Sequence, residues 1–413
     1  MQYPDWLMKA KESKKLLQWI QDPVHSFKMF RGRLLLKCQE EDCIVFYAVD
    51  SKEKDCLQLK EPKLCGVLYL PDYFLYEVDT AFYEAVGIPA DFLFPTKESL
   101  KKEVEMQMKK GNFGSTGKQV PAIVMGCMRM KELTVKEAAK LVDAAMAEGV
   151  DFFDHADIYG GGVCEERFKE AAEEAKISRE DMWIQSKCGI VPGVMYDFSK
   201  EHIIKSAEDS LQRLGTDYLD SLLLHRPDAL MEPEEVAAAF EELHTSGKVR
   251  YFGVSNQNTM QMELLSRYVS EPLMADQLQF GAAHASMIAS GVEVNMTTPG
   301  SVDRDGSVLD YCRLHDITIQ AWSPFQYGMI EGVFLNSDKF AVLNEKIREI
   351  AGKYGVSDTT IATAWILRHP AHMQVLSGTM NLQRLREICK ACEITLTREE
   401  WYAIYMAAGH MLP

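Results

Sequence analysis

FFDHADIYGGG, residues 152–162, is an apolar run that ends in ionisable residues and then in glycines. A short apolar run bounded by turn residues is typical of a strand that is buried on both faces. Seven further runs of this type occur along the chain: PAIVMGC (121–127), MWIQSKCG (182–189), SLLLHR (221–226), YFGVSN (251–256), MADQLQF (274–280), ITIQAWSP (317–324) and MQVLSGT (373–379). The sequence therefore predicts eight buried strands after residue 120.

Amphipathic helix patterns separate these strand runs. TVKEAAKLVDAAMAEG (134–149) carries apolar residues at helical spacing, and SKEHIIKSAEDSLQRLG (199–215) begins with a serine and a glutamate that are typical of a capped helix. Parallel strands need helices to cover them, and eight strand–helix units close naturally into a barrel. We therefore predict an α/β fold, a (β/α)8 TIM barrel, with a hairpin at KKGNFGSTGKQV (109–120) that closes its bottom.

The sequence changes character near residue 105. A helical pattern over 7–20 leads into three strand-like runs. These runs are RLLLKC (33–38), CIVFYAVD (43–50) and CGVLYL (65–70). The charged segment PTKESLKKEVE (95–105) is a linker or a surface helix. We predict a small α+β accessory domain over 1–104, followed by the barrel domain over 105–413.

Charge and composition exclude several classes of function. The 413 residues include 61 acidic and 45 basic side chains, and the resulting net charge of −16 disfavours nucleic acids and anionic membranes as partners. The first residues lack the apolar stretch of a signal peptide, and no apolar run approaches the roughly 18 residues of a spanning helix. The 10 cysteines are too sparse for a disulfide scaffold. We therefore expect a cytoplasmic protein with reduced thiols.

Ionisable residues end three consecutive strand runs. Asp154 and Asp157 end the second run, Lys187 the third and His225 the fourth. An unpaired buried charge is costly, so we expect these groups to satisfy one another where the strand ends of a barrel converge. Each residue alone also has a structural interpretation: an aspartate that caps a helix, a histidine bonded in the core, or a lysine that extends to solvent.

Tyr159 lies just after the second run, before three glycines that allow the backbone to turn sharply. A phenol titrates near a pH of about 10 in water, so we expect a buried cation to lower its pKa and make it a general acid. Lys187 would be that cation, Asp154 would balance its charge, and His225 would hydrogen-bond a carbonyl oxygen. The alternative is that Tyr159 is a half-buried loop aromatic.

The order of several motifs resembles the aldo-keto reductase superfamily. The motifs are FFDHADIYGGG (152–162), IQSKCG (184–189), DSLLLHRPD (220–228), VRYFGVSN (249–256), QAWSPF (320–325) and LSGTMNLQRL (376–385). The match runs from about Met106 to Pro413, and REEWYAIYMAAG (398–409) is similar to a bacterial branch of predicted oxidoreductases. The resemblance implies a (β/α)8 enzyme that reduces an aldehyde or ketone with NADPH.

The resemblance also implies the residues of the site. The implied catalytic residues are Asp154, Tyr159, Lys187 and His225. The implied cofactor contacts are Ser255, Asn256 and Gln277 for the nicotinamide carboxamide, Trp322 for stacking on the ring, Ser323 and Pro324 for the pyrophosphate, and Gly378, Thr379, Asn381 and Arg384 for the adenosine end. Arg384 can pair with a 2′-phosphate, which favours NADPH.

The chain departs from the family pattern at a few positions. Gly378 and Asn381 stand where many relatives place a lysine for the 2′-phosphate, so NADH stays possible as the cofactor. Asp276 stands where relatives commonly have asparagine. A competing hypothesis is a protein that senses nicotinamide nucleotides, or binds a partner through residues 1–104, without useful turnover. The complete tetrad favours the enzyme, because a sensor needs no acid.

Two further features carry weaker hypotheses. GAAHASMIASGVEVNMTTPGSVDRDG (281–306) is long for a barrel connection, so it is either a substrate lid acting with Tyr196 or a disordered surface loop. Cys389 and Cys392 form a CxxC pattern whose spacing can equally place both on a core face. We predict no metal site.

Overall fold

The computed structural model of the protein describes residues 108–412, together with the backbone of five strands that precede them. The chain divides into two compact units, residues 1–105 and 106–413. The helix predicted over 7–20 and the segment 95–105 lie outside the described residues.

The five N-terminal strands form an antiparallel sheet in which each strand pairs with its neighbours in sequence. They are Phe27–Phe30, Arg33–Gln39, Cys43–Val49, Lys63–Tyr69 and Phe74–Tyr76. The three runs that the sequence marks as strands form the second, third and fourth of them. Short runs rich in apolar, β-branched and aromatic residues favour these strands.

Eight parallel strands of the second unit close into a barrel. In chain order the barrel strands are Ile123–Gly126, Phe152–Asp154, Trp183–Cys188, Leu219–Leu224, Val249–Ser255, Leu273–Gln279, Thr318–Trp322 and Gln374–Ser377. The last strand pairs with the first, which completes the closure. Each strand overlaps one of the eight predicted runs, so the predicted TIM barrel is confirmed.

Helices cover the outside of the barrel. Those of the second unit are Val135–Ala147, Val163–Glu174, Lys200–Leu214, Pro233–Thr245, Thr259–Ser266, Ser286–Val292, Val308–Leu314, Ala341–Tyr354, Asp358–Leu367, Leu382–Lys390 and Arg398–Ala407. Thr134 and Glu137 form a reciprocal cap on the first of these helices. Ser199 caps the third alone, because the residue that could reciprocate is His202 rather than a glutamate. Within the described part of the chain, no helix is long and apolar enough to cross a membrane.

The predicted hairpin forms from Lys110–Asn112 and Gln119–Pro121 and lies at the N-terminal ends of the barrel strands. Its Phe113 is fully buried, with its ring centroid 4.8 Å from that of Trp183 and 6.0 Å from that of Phe152. Burying one such ring contributes on the order of 2 kcal/mol. The hairpin covers this end of the barrel.

A chain of glutamine side chains crosses the barrel interior. Gln185 Nε2 donates to Asp154 Oδ1 at 2.7 Å and to Gln320 Oε1 at 2.8 Å. Gln320 Nε2 donates to Gln374 Oε1 at 2.9 Å, and Gln374 Nε2 donates to the Pro121 carbonyl at 2.8 Å. Buried amides are tolerated only when they are bonded, and these amides bond one another. The network ties Asp154 to the opposite wall of the barrel.

Candidate active site

The open end of the barrel brings four ionisable side chains together. Asp154 ends the second barrel strand, Lys187 lies near the end of the third, and His225 directly follows the fourth. Lys187 Nζ lies 2.8 Å from Asp154 Oδ2 and 3.0 Å from Tyr159 Oη. The ring centroids of Tyr159 and His225 are 5.9 Å apart, edge to face. The four predicted tetrad residues are therefore neighbours in the structure.

Lys187 is fully buried and uses all three of its donors. Its third contact is the His155 carbonyl oxygen, at 2.6 Å. Burial alone would lower the pKa of Lys187, but Asp154 and Tyr159 outweigh it, and the pKa lies above its ordinary value. The ammonium is therefore permanently charged and fixed in place. Asp157, the other aspartate of the motif, makes none of these contacts.

The pKa of Tyr159 departs from the expectation. Burial raises the pKa of the phenol above its ordinary value, and the nearby Lys187 offsets this only in part. We expected a net decrease, and this prediction is wrong because desolvation of the phenolate outweighs the attraction of one cation that Asp154 already neutralises. Tyr159 therefore holds its proton at neutral pH.

Glycines set the position of Tyr159. Gly160 and Gly161 have φ values of 61° and 68°, which a residue with a side chain rarely adopts. A Cβ on Gly160 would also lie 2.9 Å from the Lys131 side chain. The tight turn that these residues allow brings the phenol back over the end of the third strand.

His225 is neutral in this environment. Burial, together with the charges of Lys187 and Arg226, lowers the pKa of the imidazole well below its ordinary value. Its Nδ1 is buried and has no hydrogen-bond partner among the described residues. An imidazole that carries its proton on Nε2 can donate that proton in a hydrogen bond without adding a charge to the site.

The residues predicted to hold the nicotinamide also lie together. Asn256 Oδ1 accepts from Trp322 Nε1 at 3.2 Å, and Asn256 Nδ2 donates to Ser255 Oγ at 2.7 Å. Gln277 Nε2 donates to Asp154 Oδ1 at 3.0 Å and to Gln320 Oε1 at 3.1 Å, so of its amide only Oε1 is left to face a carboxamide. Asn256 has a φ of 57°. Strained backbone of this kind concentrates at functional sites.

The residues predicted for the phosphates and adenosine follow the seventh and eighth strands. Ser323 has a φ of 49°, and its neighbour Pro324 packs against Gly281. Thr379 Oγ1 accepts from the Asn381 amide at 3.2 Å, and Asn381 caps the helix that begins at Leu382. The eighth strand is thus followed by the exposed Gly378 and by a helix start of the kind that binds anions, whereas Pro324 after the seventh strand is buried.

Two arginines stand at this helix start. Arg384 is exposed, and none of the described residues forms an ion pair with it. Arg129, after the first barrel strand, donates through Nε to the Gly378 carbonyl at 3.0 Å. The sequence interpretation missed Arg129, whose only signal is its place directly beyond a strand end. The donors and cations present fit a phosphorylated nucleotide.

The long connection over 281–306 is folded. It contains the helix Ser286–Val292 and a short 3-10 turn at Pro299–Ser301, and it buries Met287, Ile288 and Ala289. The alternative of a disordered loop is therefore wrong, while its role as a substrate lid stays a prediction. Tyr196 is 47% exposed in a separate small hairpin.

The CxxC cysteines pack into the structure. Cys389 is buried and Cys392 is half-buried, with Cys392 Sγ 3.6 Å from Met108 Sδ. Burial raises the pKa of both thiols, which disfavours the reactive thiolate.

Asp276 lies beside the site on the sixth strand and points away from Gln277. It is fully buried, and neither carboxyl oxygen has a hydrogen-bond partner among the described residues. Burial raises the pKa of Asp276 to about 8. The side chain is therefore mostly protonated, and so uncharged, at neutral pH.

We predict that Asp276→Asn stabilises the protein increasingly as the pH rises. The folded chain holds a proton on Asp276 that the unfolded chain releases at a pH of about 4, so stability is lost between that pH and the folded pKa. The advantage of the variant should grow by at most about 1.4 kcal/mol per pH unit over this window and then level off. Chemical denaturation at several pH values measures it, and an advantage independent of pH would contradict the assignment.

Comparison with known proteins gives the family. The model of the Aldo/keto reductase family matches residues 122–407. The chain belongs to this family. The match spans the barrel from its first strand to its last helix, so the strand ends described above are those of an aldo/keto reductase.

Curated relatives cover the same region. The chain is 34% identical to oxidoreductase YdhF of Escherichia coli and 33% identical to the uncharacterized oxidoreductase YcsN of Bacillus subtilis, over 72% and 71% of its length and 97% of each relative. It is 33% identical over 73% of its length, and 96% of the relative, to a 6-dehydroglucose reductase of Novosphingobium aromaticivorans.

A solved structure agrees with the barrel. The thermostable aldo-keto reductase Tm1743, crystallised with the inhibitor epalrestat, is 28% identical with a TM-score of 0.58, over 73% of this chain and all of that one. The protein is therefore an NAD(P)H-dependent oxidoreductase of this family, whose members act on small carbonyl compounds.

Proposed function

We propose that the protein reduces an aldehyde or ketone to an alcohol with NADPH and that Tyr159 donates the proton. The observation that carries the proposal is the buried Lys187 ammonium, which bridges Asp154 Oδ2 and Tyr159 Oη at 2.8 and 3.0 Å. A lysine held in this way beside a protonated phenol is suited to acid catalysis. If the ion pair of Lys187 and Asp154 served only the fold, it would not need the Tyr159 phenol within hydrogen-bond distance of the lysine.

Tyr159 and Lys187 divide the work of proton transfer. The phenol keeps its proton until the carbonyl oxygen becomes basic, and then passes it from Oη to that oxygen. Lys187 Nζ, 3.0 Å away, stabilises the phenolate that remains. Asp154 keeps the ammonium charged and, through Gln185 and Gln277, fixed to the barrel wall. The bound nicotinamide supplies the hydride when present.

His225 orients the carbonyl. Its neutral ring lies beside that of Tyr159, so Nε2–H and the phenol O–H can both point at one oxygen atom. Two donors would fix the direction of that oxygen. The carbonyl carbon would then face the nicotinamide ring on which Trp322 would stack.

The cofactor contacts predicted from the sequence would hold NADPH along the C-terminal ends of the barrel strands. Asn256, Ser255 and Gln277 would bind the carboxamide, and Trp322 would stack on the ring. The start of the helix Leu382–Lys390 would take the adenosine end, with Arg384 on the 2′-phosphate. We add Arg129 to this end, because its guanidinium already contacts Gly378.

We predict that Arg384→Ala weakens NADPH much more than NADH. Only NADPH brings a 2′-phosphate to the guanidinium, and losing a charged hydrogen bond of this kind costs about tenfold or more in affinity. Titration of both cofactors by protein fluorescence measures the two dissociation constants. Equal losses for both cofactors would mean that Arg384 supports only the adenine, and would favour NADH.

Three relatives bear on the choice of activity. The relatives named 6-dehydroglucose reductase support a polyhydroxylated aldehyde among the substrates to be tested. A probable voltage-gated potassium channel subunit beta of Arabidopsis thaliana, 28% identical over 92% of its length, keeps the sensing alternative open. The assembled tetrad supports the enzyme.

Turnover assays decide between these alternatives. The parent protein is mixed with NADPH and a panel of aldehydes, ketones and sugar aldehydes, and the loss of reduced-nicotinamide absorbance is recorded together with the alcohol formed. We expect an alcohol from at least one carbonyl class. Tight NADPH binding without turnover of any compound would favour the sensor.

A further inference from the structure

Arg226 is a cation at the mouth of the site that the mechanism above does not use. It follows His225 directly, and its guanidinium carbon lies 5.6 Å from the centroid of the Trp322 ring. The side chain is half-buried. Within residues 108–412 it forms no salt bridge and no hydrogen bond, and its charge acts on His225, whose pKa it helps to lower.

The other half-buried arginines among the described residues each donate to a protein oxygen, and they are Arg167, Arg179, Arg213 and Arg368. Arg179 and Arg250 share Asp220, at 2.7 and 2.9 Å, and Arg213 pairs with the buried Glu165 at 2.7 Å. In a chain with 61 acidic and 45 basic residues, a half-buried arginine could readily have an acidic partner. The guanidinium of Arg226 is instead directed onto an aromatic ring.

The nearest acidic residue in sequence is already engaged. Asp228 accepts hydrogen bonds from the Phe198 amide at 3.0 Å and from the Leu230 amide at 2.8 Å. Its two oxygens therefore accept from backbone amides of loops. Among the described residues, the Arg226 guanidinium has no acidic partner, so its N–H donors can bind a ligand.

We infer that Arg226 binds an oxyanion group carried by the carbonyl substrate: a carboxylate, a phosphate or a sulfonate. The inference rests on the proposed function, because it places the carbonyl between Tyr159 and His225. Arg226 follows His225 in the chain and its guanidinium lies 5.6 Å from the Trp322 ring, so it borders the place proposed for the carbonyl compound. A planar guanidinium with all its donors free recognises oxyanions through paired hydrogen bonds, and a partly desolvated site strengthens them.

A cofactor phosphate is the other source of an oxyanion in such a site. The proposed phosphate contacts are Ser323 and the segment after the eighth strand, where Arg384 and Arg129 lie. Arg226 is instead at the end assigned to the reduced nicotinamide, whose ring and carboxamide are uncharged. An anion that reaches Arg226 therefore comes from the substrate.

The test compares a charged and an uncharged form of one aldehyde. We use para-carboxybenzaldehyde against methyl para-formylbenzoate, and succinic semialdehyde against its methyl ester, with the full-length protein and NADPH. We expect the parent to prefer each acid, and Arg226→Gln to reduce the acid-to-ester ratio of kcat/KM by about tenfold or more. Arg226→Lys should retain part of the preference for the acid, because it keeps the positive charge but loses the paired N–H donors of the planar guanidinium.

Two controls separate local recognition from other effects. Arg348→Gln removes one positive charge from an exposed position on an outer helix, so it reports general electrostatic attraction of an acid. The NADPH dissociation constant of Arg226→Gln reports a contact with the cofactor. We expect Arg348→Gln to keep the parental acid-to-ester ratio and Arg226→Gln to keep nearly the parental NADPH affinity.

The outcomes are distinct. A parent that reduces the esters without preferring the acids, equal losses on acid and ester in Arg226→Gln, or weakened NADPH binding in that variant would each overturn the inference and leave the proposed function standing. A parent that reduces no carbonyl compound at all would remove the proposed function, and the inference with it.

Discussion

Tyr159→Phe should lose nearly all turnover while binding NADPH as the parent does. The substitution removes only Oη, the atom that accepts a hydrogen bond from Lys187, and general acid catalysis contributes on the order of 10²–10⁴ in rate. The ring itself packs against the core, so folding should be preserved. Steady-state kinetics and cofactor titration on the same preparation measure the two effects.

One result for Tyr159→Phe would contradict the assignment of the proton donor. Reduction at the parental rate would place the proton donor elsewhere. A matched Tyr268→Phe variant, which removes a hydroxyl from an exposed ring just after the outer helix Thr259–Ser266, controls for general effects of losing a phenol.

Lys187→Met should damage both catalysis and stability. Without the ammonium, the phenolate of Tyr159 loses its stabilising charge, the pKa of the phenol rises further, and kcat should fall by about 10²-fold or more. Asp154, 1% exposed, would be left as a buried charge without its cation, which costs about 3–5 kcal/mol. Activity assays and chemical denaturation measure the two losses.

A double variant separates the two roles of Lys187. Adding Asp154→Asn removes the unpaired charge, and the new side-chain oxygen can still accept from Gln185 and Gln277. We expect stability to recover in Lys187→Met with Asp154→Asn, while turnover stays low. Recovery of turnover along with stability would mean that Lys187 serves the fold alone.

The sequence predicted the fold because barrel strands and helices have different hydrophobic periods. Each of the eight strand runs was found within a few residues of its position, since buried parallel strands are short and nearly continuous in apolar residues. The observed strands differ from the predicted runs where a run includes polar residues beyond the last sheet hydrogen bonds. The fourth strand, for example, ends at Leu224, whereas the predicted run included the following histidine and arginine.

That Asp154, Lys187 and His225 lie close together could be predicted because parallel strands of a barrel end on one face. Alternation along the second strand then separates two neighbours: Asp154 faces Lys187, whereas the His155 ring packs against Phe168 on the other side, with centroids 4.5 Å apart. A sequence shows both residues, and only the strand register determines which one faces the site.

Other parts of the site depend on contacts that a local pattern cannot contain. Arg129 reaches Gly378 across 249 positions of sequence. The glutamine network joins four strands, and the sequence shows only single polar residues in apolar runs. The pKa of Tyr159 reflects a balance between burial and charge that needs the depth of the phenol, so its direction could not be obtained from residue types alone.

The measurement that tests the central claim most directly follows the hydride and the proton donor together. NADPH carrying deuterium at the transferring C4 position is incubated with the parent protein and an aldehyde that it reduces, and the alcohol is analysed by mass spectrometry. We predict one deuterium on the carbinol carbon with the parent, and alcohol only at background level with Tyr159→Phe, although that variant binds NADPH. An alcohol without deuterium, or equal labelled product from Tyr159→Phe, would contradict the account.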